Sequence, residues 1–122
     1  MLVIRQEQMR VMGLAFEDGF SDKLAAQLRA DYPQQVAGLD QRQLLAAVDA
    51  ARHRAGFYGF EWQSSVLAFV TLSVTVGPYF DRQLRIAQLL NQRHVPADSR
   101  IAYLAEAISA AEWEEARGMA AA

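Results

Sequence analysis

From Arg5 to Tyr32 the apolar residues Met9, Met12, Phe16, Phe20, Leu24 and Leu28 recur at steps of three or four, which predicts one buried face of a long first helix. Successive steps of four overshoot a 3.6-residue turn by about 40° each. The stripe therefore needs a break, expected at Asp18-Gly19. Pro33 ends the helix at Tyr32, because its ring disfavours the helical conformation in the residue before it. A turn or short helix leads on to Leu39. Asp40 with Gln43 three residues later predicts a capping box, and Leu44, Leu45, Val48, Ala51 and Ala55 then follow one face of a second helix until Gly56.

The next segment, SSVLAFVTLSVTV, reads two ways. Val70, Leu72, Val74 and Val76 alternate with Thr71, Ser73 and Thr75 as a strand would. Wound as a helix, the same residues place Ser64, Ala68, Thr71 and Thr75 in a narrow small-residue stripe, with apolar side chains on the other sides, as suits a central helix. No second strand-like segment is available as a partner, so the helix is expected. Gly77-Pro78 stops it. Asp81 is the expected cap of a helix carrying Leu84, Ile86, Leu89 and Leu90. After a break at Pro96 to Ser99, Asp98 or Ser99 is expected to open a last helix. Its Ile101, Leu104, Ala105, Ile108 and Ala111 would face inward, and it would run to Gly118. The short connections predict an all-α protein: a compact bundle of five or six helices with a long N-terminal helix, forming a single domain over residues 1–122.

Composition changes this picture little. A chain of 122 residues with 52% hydrophobic and 21% charged residues can bury a core without disulfides or metal. Its net charge of −2 provides no positive field to gather phosphates, so nucleic acid is not an expected partner. Cysteine is absent, which removes disulfides, thiolate nucleophiles and cysteine metal sites together. Arg5, Glu7 and Arg10 interrupt the apolar run an export signal needs. The strongly apolar stretch Val66 to Val76 is well short of the roughly 20 residues that span a bilayer. No membrane span is expected, and the expected location is cytoplasmic.

The residues offer little for catalysis. His53 and His94 belong to no zinc-binding arrangement, and both read as solvated histidines beside arginines. No GxSxG elbow or SxxK motif is present, and Ser64 and Ser65 are expected to supply hydroxyls to the free N–H groups of a helix start. Glu17-Asp18 and Glu114-Glu115 are adjacent pairs that diverge by about 100° on a helix, which suits a charged face better than convergent acid–base work. The glycines stand singly and form no phosphate loop. No enzyme, cofactor or metal site is expected.

The aromatic residues are more informative. Phe57, Tyr58, Phe60 and Trp62 surround Gly59, Tyr79 and Phe80 follow Gly77-Pro78 with Arg82 just beyond, and Trp113 falls off the Ile101, Leu104, Ile108 stripe. Tyr, Trp and Arg dominate interface hot spots, which makes these eight the candidate partner-binding residues. The competing reading is that the rings anchor two loops over the end of the bundle.

In VIRQEQM (Val3 to Met9), LRADYP (Leu28 to Pro33), FYGFE (Phe57 to Glu61) and VGPYFD (Val76 to Asp81) the chain resembles a family of small bacterial proteins found in type VI secretion gene neighbourhoods, near toxic effectors and spike components. The likeness covers almost the whole chain and implies helices throughout. It also implies an accessory role: binding a secreted effector or its loading chaperone. Members of that family often have histidine near the end of the first helix, where this chain has Gln27 and Asp31. That departure argues against any histidine-based activity.

The leading expectation is therefore a non-enzymatic adaptor or co-chaperone for a secretion effector. The alternatives are an immunity protein that neutralises a cognate toxin and a small enzyme whose site is assembled across helices. The same aromatic surface would also serve a homodimer.

Overall fold

The computed structural model describes residues 19–119. Among the described residues six α-helices follow one another: α1 (Phe20–Asp31), α2 (Gln41–Ala55), α3 (Gln63–Thr75), α4 (Leu84–Leu90), α5 (Ala97–Ala107) and α6 (Ala110–Arg117), with single 3₁₀ turns at Gly56–Tyr58 and Phe80–Arg82. No strand occurs among the described residues. The fold is the expected helical bundle. The part of the long first helix expected before residue 19 lies outside the described residues. Gly19 itself has φ 86°, a left-handed conformation that glycine adopts without steric cost, so α1 begins there, at the break that the drifting stripe requires.

Phe20, Leu24 and Leu28 of α1 are buried as their spacing predicts. In the turn beyond Pro33, Val36 is completely buried, and Arg29 donates to the Leu39 carbonyl at 2.9 Å, so the connection is folded onto the core. The Asp40 capping box forms: the Gln43 N–H donates to Asp40 Oδ1 at 2.7 Å, and the Asp40 N–H donates to Gln43 Oε1 at 3.0 Å. Leu44, Val48, Ala51 and Ala55 are buried on the face α2 turns inward.

The ambiguous segment is helical. α3 buries Val66, Phe69, Val70 and Ser73 at helical spacing, and its threonines adapt to the helix by donating backwards, Thr71 to the Leu67 carbonyl and Thr75 to the Thr71 carbonyl, each at 2.7 Å. Its start differs from expectation. The helix opens at Gln63 after Trp62 with no side-chain cap, and Ser65 is buried instead of serving the free N–H groups. α2 and α5 pack against α3, α1 lies on α2, and α4 lies on α5. Together they enclose one hydrophobic cluster that includes Phe20, Leu28, Leu44, Phe69, Phe80, Ile86 and Leu104.

Two capping expectations fail for related reasons. Asp81 does not cap α4, because its carboxylate is consumed in the interior. The Gln83 side chain accepts from the Ile86 N–H instead, at 2.9 Å. Nor does Asp98 or Ser99 open α5: the helix begins after Pro96, and Asp98 reaches across to accept the backbone N–H groups of Glu61 and Trp62 at 3.3 and 3.2 Å. The expected last helix is also two helices. Ile108 leaves the helical conformation, and Ser109 with Glu112 forms a second capping box that starts α6. Ile108 and Leu104 are buried, but Ala105 and Ala111 are exposed.

The break at Ile108 lets α6 fold back over the end of α3. A Cβ on Gly77 would stand 3.2 Å from the Arg117 carbonyl oxygen, so a side chain there would press on the α6 backbone. Gly77→Ala should cost about 1–3 kcal/mol through overpacking, read as a lower urea midpoint. Gly38→Ala, where a Cβ meets nothing within 4 Å, should shift stability by no more than about 1 kcal/mol.

Candidate protein-binding surface

The eight candidate residues do not form one surface. Phe60 and Phe80 are core rings, 8% and 0% exposed, and Phe80 packs on Phe69 at 5.0 Å between centroids. Burial leaves neither ring available to a partner. Tyr58 and Tyr79 are half-buried, Arg82 is exposed, and these three gather round Asp81. Phe57 is 76% exposed, with the His53 ring edge-on at 5.4 Å. Trp62 is 40% exposed, and Trp113 is partly buried against the core.

Asp81, 5% exposed, sits at the centre of the first cluster. One terminal nitrogen of Arg54 donates to both of its oxygens, at 2.6 and 2.7 Å, and the Tyr58 hydroxyl donates to Oδ2 at 2.5 Å. The Arg54 guanidinium also lies over the Tyr79 ring at 4.7 Å, with Arg82 above the same ring at 5.9 Å. Arg54 lies in the last turn of α2 and Tyr58 in the 3₁₀ turn that follows it. The two loops predicted to be aromatic are therefore joined by a buried ion pair and a phenol. Burial, and then the Asp81 carboxylate that its hydroxyl bonds, push the Tyr58 phenol well above its ordinary value. Both carboxylate oxygens are engaged by buried or half-buried donors, so the arrangement is a structural anchor.

The Arg52-His53-Arg54 triplet divides by face. Arg52 lies over the Phe20 ring at 4.9 Å and donates to Ser21 Oγ at 2.6 Å, while Ser21 donates to Asp49. Only His53 is exposed. His94 is exposed as well. Glu114 and Glu115 diverge as expected: Glu114 meets Arg117 at 3.4 Å, and Glu115 accepts from Gln83 at 2.6 Å. Among the described residues no three His, Asp or Glu side chains are grouped to hold a metal ion, and no helix is long and apolar enough to cross a membrane.

The larger feature is a groove of about 440 Å³, open to solvent, between the C-terminal half of α1, one side of α3, α5 and Trp113 of α6. Its floor is apolar, with Leu28, Leu67, Leu72, Ile101 and Leu104. Gln27, Asp31, Ser64 and Thr71 supply the polar groups. Ser64, Ala68 and Thr71 are three members of the small-residue stripe on α3, and Ala102 and Ala105 face them from α5. Short side chains on facing helices leave the space unfilled. Of the eight candidates only Trp113 lines it. The small-residue spacing was the available signal, but which helix faced it was not readable from the sequence.

The anchor makes two measurable claims. Asp81→Asn should destabilise the protein by about 3 kcal/mol, because it removes the counter-charge of the part-buried Arg54. This is read by chemical denaturation. Tyr58→Phe should cost about 1.5–3 kcal/mol at neutral pH. The folded phenol holds its proton longer than the unfolded one, so its contribution is complete below the ordinary value of 10.0 and is lost as pH rises beyond it. Wild-type stability should thus fall above pH about 10 more steeply than that of Tyr58→Phe.

No protein-family model matches the chain, no curated protein matches it significantly, and no solved structure does.

Proposed function

We propose that this protein is a non-enzymatic accessory, an adaptor or co-chaperone, that receives an apolar helical segment of a secretion effector in the groove between α1, α3, α5 and α6. The observation that carries this reading is the groove itself: an apolar floor with polar groups at its margins, open to solvent between helices. An amphipathic helix uses such a groove by laying its apolar face into it. Release of water from the apolar floor would drive binding.

The polar clusters elsewhere support the same reading. Asp81, Arg54, Tyr58, Arg52 and Ser21 are engaged with one another or with the core, and the groove brings Asp31 and Gln27 together without a histidine. The class of partner comes from the resemblance to proteins of type VI secretion neighbourhoods.

The test is a complex with the effector encoded beside this chain. A stable complex by size exclusion and a calorimetric Kd in the micromolar range or tighter are expected; absence of any complex at micromolar concentrations overturns the reading. Ala102 is exposed and lines the groove, so Ala102→Trp should weaken the complex about tenfold or more, or about 1.4 kcal/mol, while leaving the helical circular dichroism signal intact. Deleting the gene should abolish secretion of the effector. Protection from the toxin with secretion unaffected would mark an immunity protein instead.

A further inference from the structure

We infer that the groove has an occupant within the chain itself: the segment before Gly19, residues 1–18, lays its apolar side chains Met9, Met12 and Phe16 into the space between α1, α3, α5 and α6. Self-occupation needs no partner. Its consequence, that an effector segment binds by displacing the chain's own, rests on the function proposed above.

Residues 1–18 lie outside the described residues, but their sequence and their point of attachment are fixed. They meet the fold at Gly19, whose left-handed conformation interrupts helical continuation, so they are not a straight extension of α1. Phe20 precedes the lining residues Gln27 and Asp31 by about two and three whole turns. The chain therefore enters α1 on the side that borders the groove. The reach is short: Gln27 and Asp31 stand about 12–18 Å along α1 from Gly19, whereas residues 1–18 span about 27 Å even when wholly helical. A segment folded back along α1 arrives at the groove with residues to spare.

Met9, Met12 and Phe16 follow one another at steps of three and four, which predicts one apolar side. The apolar face of α1 itself is already buried in the core. The groove floor of Leu28, Leu67, Leu72, Ile101 and Leu104 is the apolar surface left open beside it. Three of the chain's four methionines, Met1, Met9 and Met12, fall in this segment. Methionine adapts to irregular apolar spaces through its flexible side chain, which suits an occupant that must also leave. The segment carries both signs of charge, at Arg5, Glu7, Arg10, Glu17 and Asp18, so reach and apolar area select it, not charge. Tethering supplies it at an effective concentration of about 1 mM, so an intrinsic affinity of only about 0.1 mM would mask the groove about tenfold.

The chain has no cysteine, so one introduced cysteine carries a nitroxide label at a single place in the full chain. Glu106→Cys puts the label on an exposed position one turn beyond the lining residue Ala102, and Gln88→Cys puts it on an exposed position of α4, none of whose residues line the groove. With isotopically labelled methionine methyls, the label at position 106 should broaden the Met9 and Met12 signals, and the label at position 88 should leave them sharp. Adding Ala102→Trp to fill the groove should restore the signals. Broadening from the Gln88→Cys label, or from neither label, overturns the inference. Broadening that passes between separately labelled chains in a mixture would make a second copy the occupant and overturns it too.

For the effector, Met12→Asp with Phe16→Asp should tighten binding about tenfold with the helical circular dichroism signal intact. Unchanged affinity in the folded variant overturns the competition. If that variant does not fold, the label measurement decides. The two readings fail separately: broadened methyls without effector binding keep the self-occupied groove and sink the adaptor, while an effector that Ala102→Trp blocks, with neither label broadening the methyls, keeps the adaptor and sinks self-occupation.

Discussion

The burial of α3 is the constraint on which the rest of this structure depends. Its sequence is apolar on most sides, and no strand among the described residues offers it a sheet. It satisfies its backbone internally as a helix and must then be covered by side chains from several directions. α2 and α5 pack against it, and Phe60, Tyr58 and Phe80 close round Phe69. Where its side chains are short, at Ser64, Ala68 and Thr71, the cover is incomplete and the groove opens. The core and the candidate site are thus two sides of one helix.

Covering α3 with aromatic loops requires those loops to be fixed, and the buried Asp81 does this. A carboxylate out of water is tolerated only with its hydrogen bonds met. Arg54 from the end of α2 and Tyr58 from the following turn meet them. The aromatic residues that suggested an interface by composition are largely part of this closure. Tyr and Arg are enriched at interfaces because they combine apolar area with a polar end, and the same property suits them to sealing a loop over a core. Composition cannot distinguish the two uses.

Some local features were legible because their causes lie within four residues. The Asp40 capping box, the glycine break before α1 and the inward stripe Leu44, Val48, Ala51, Ala55 are determined by spacing and backbone conformation alone. The capping box at Ser109 and Glu112 had the same local signal, but the continuing apolar spacing from Leu104 to Ile108 masked it. Asp81 and Asp98 were misassigned because an acid before a helix is a good cap unless a distant donor claims it. Arg54 is 27 residues from Asp81, and the backbone N–H of Trp62 is 36 from Asp98.

By itself, then, the sequence determined that this chain is helical, where α1 and α2 begin, and which of their faces are apolar, since these follow from short-range periodicity and turn chemistry. Only the tertiary structure decided which charges are interior and which aromatic rings are core. It likewise decided that the small side chains of α3 and α5 face one another, because these outcomes depend on packing between residues far apart in the chain. The groove is the clearest case: each helix contributes an ordinary stripe, and the space exists only where stripes of short side chains meet.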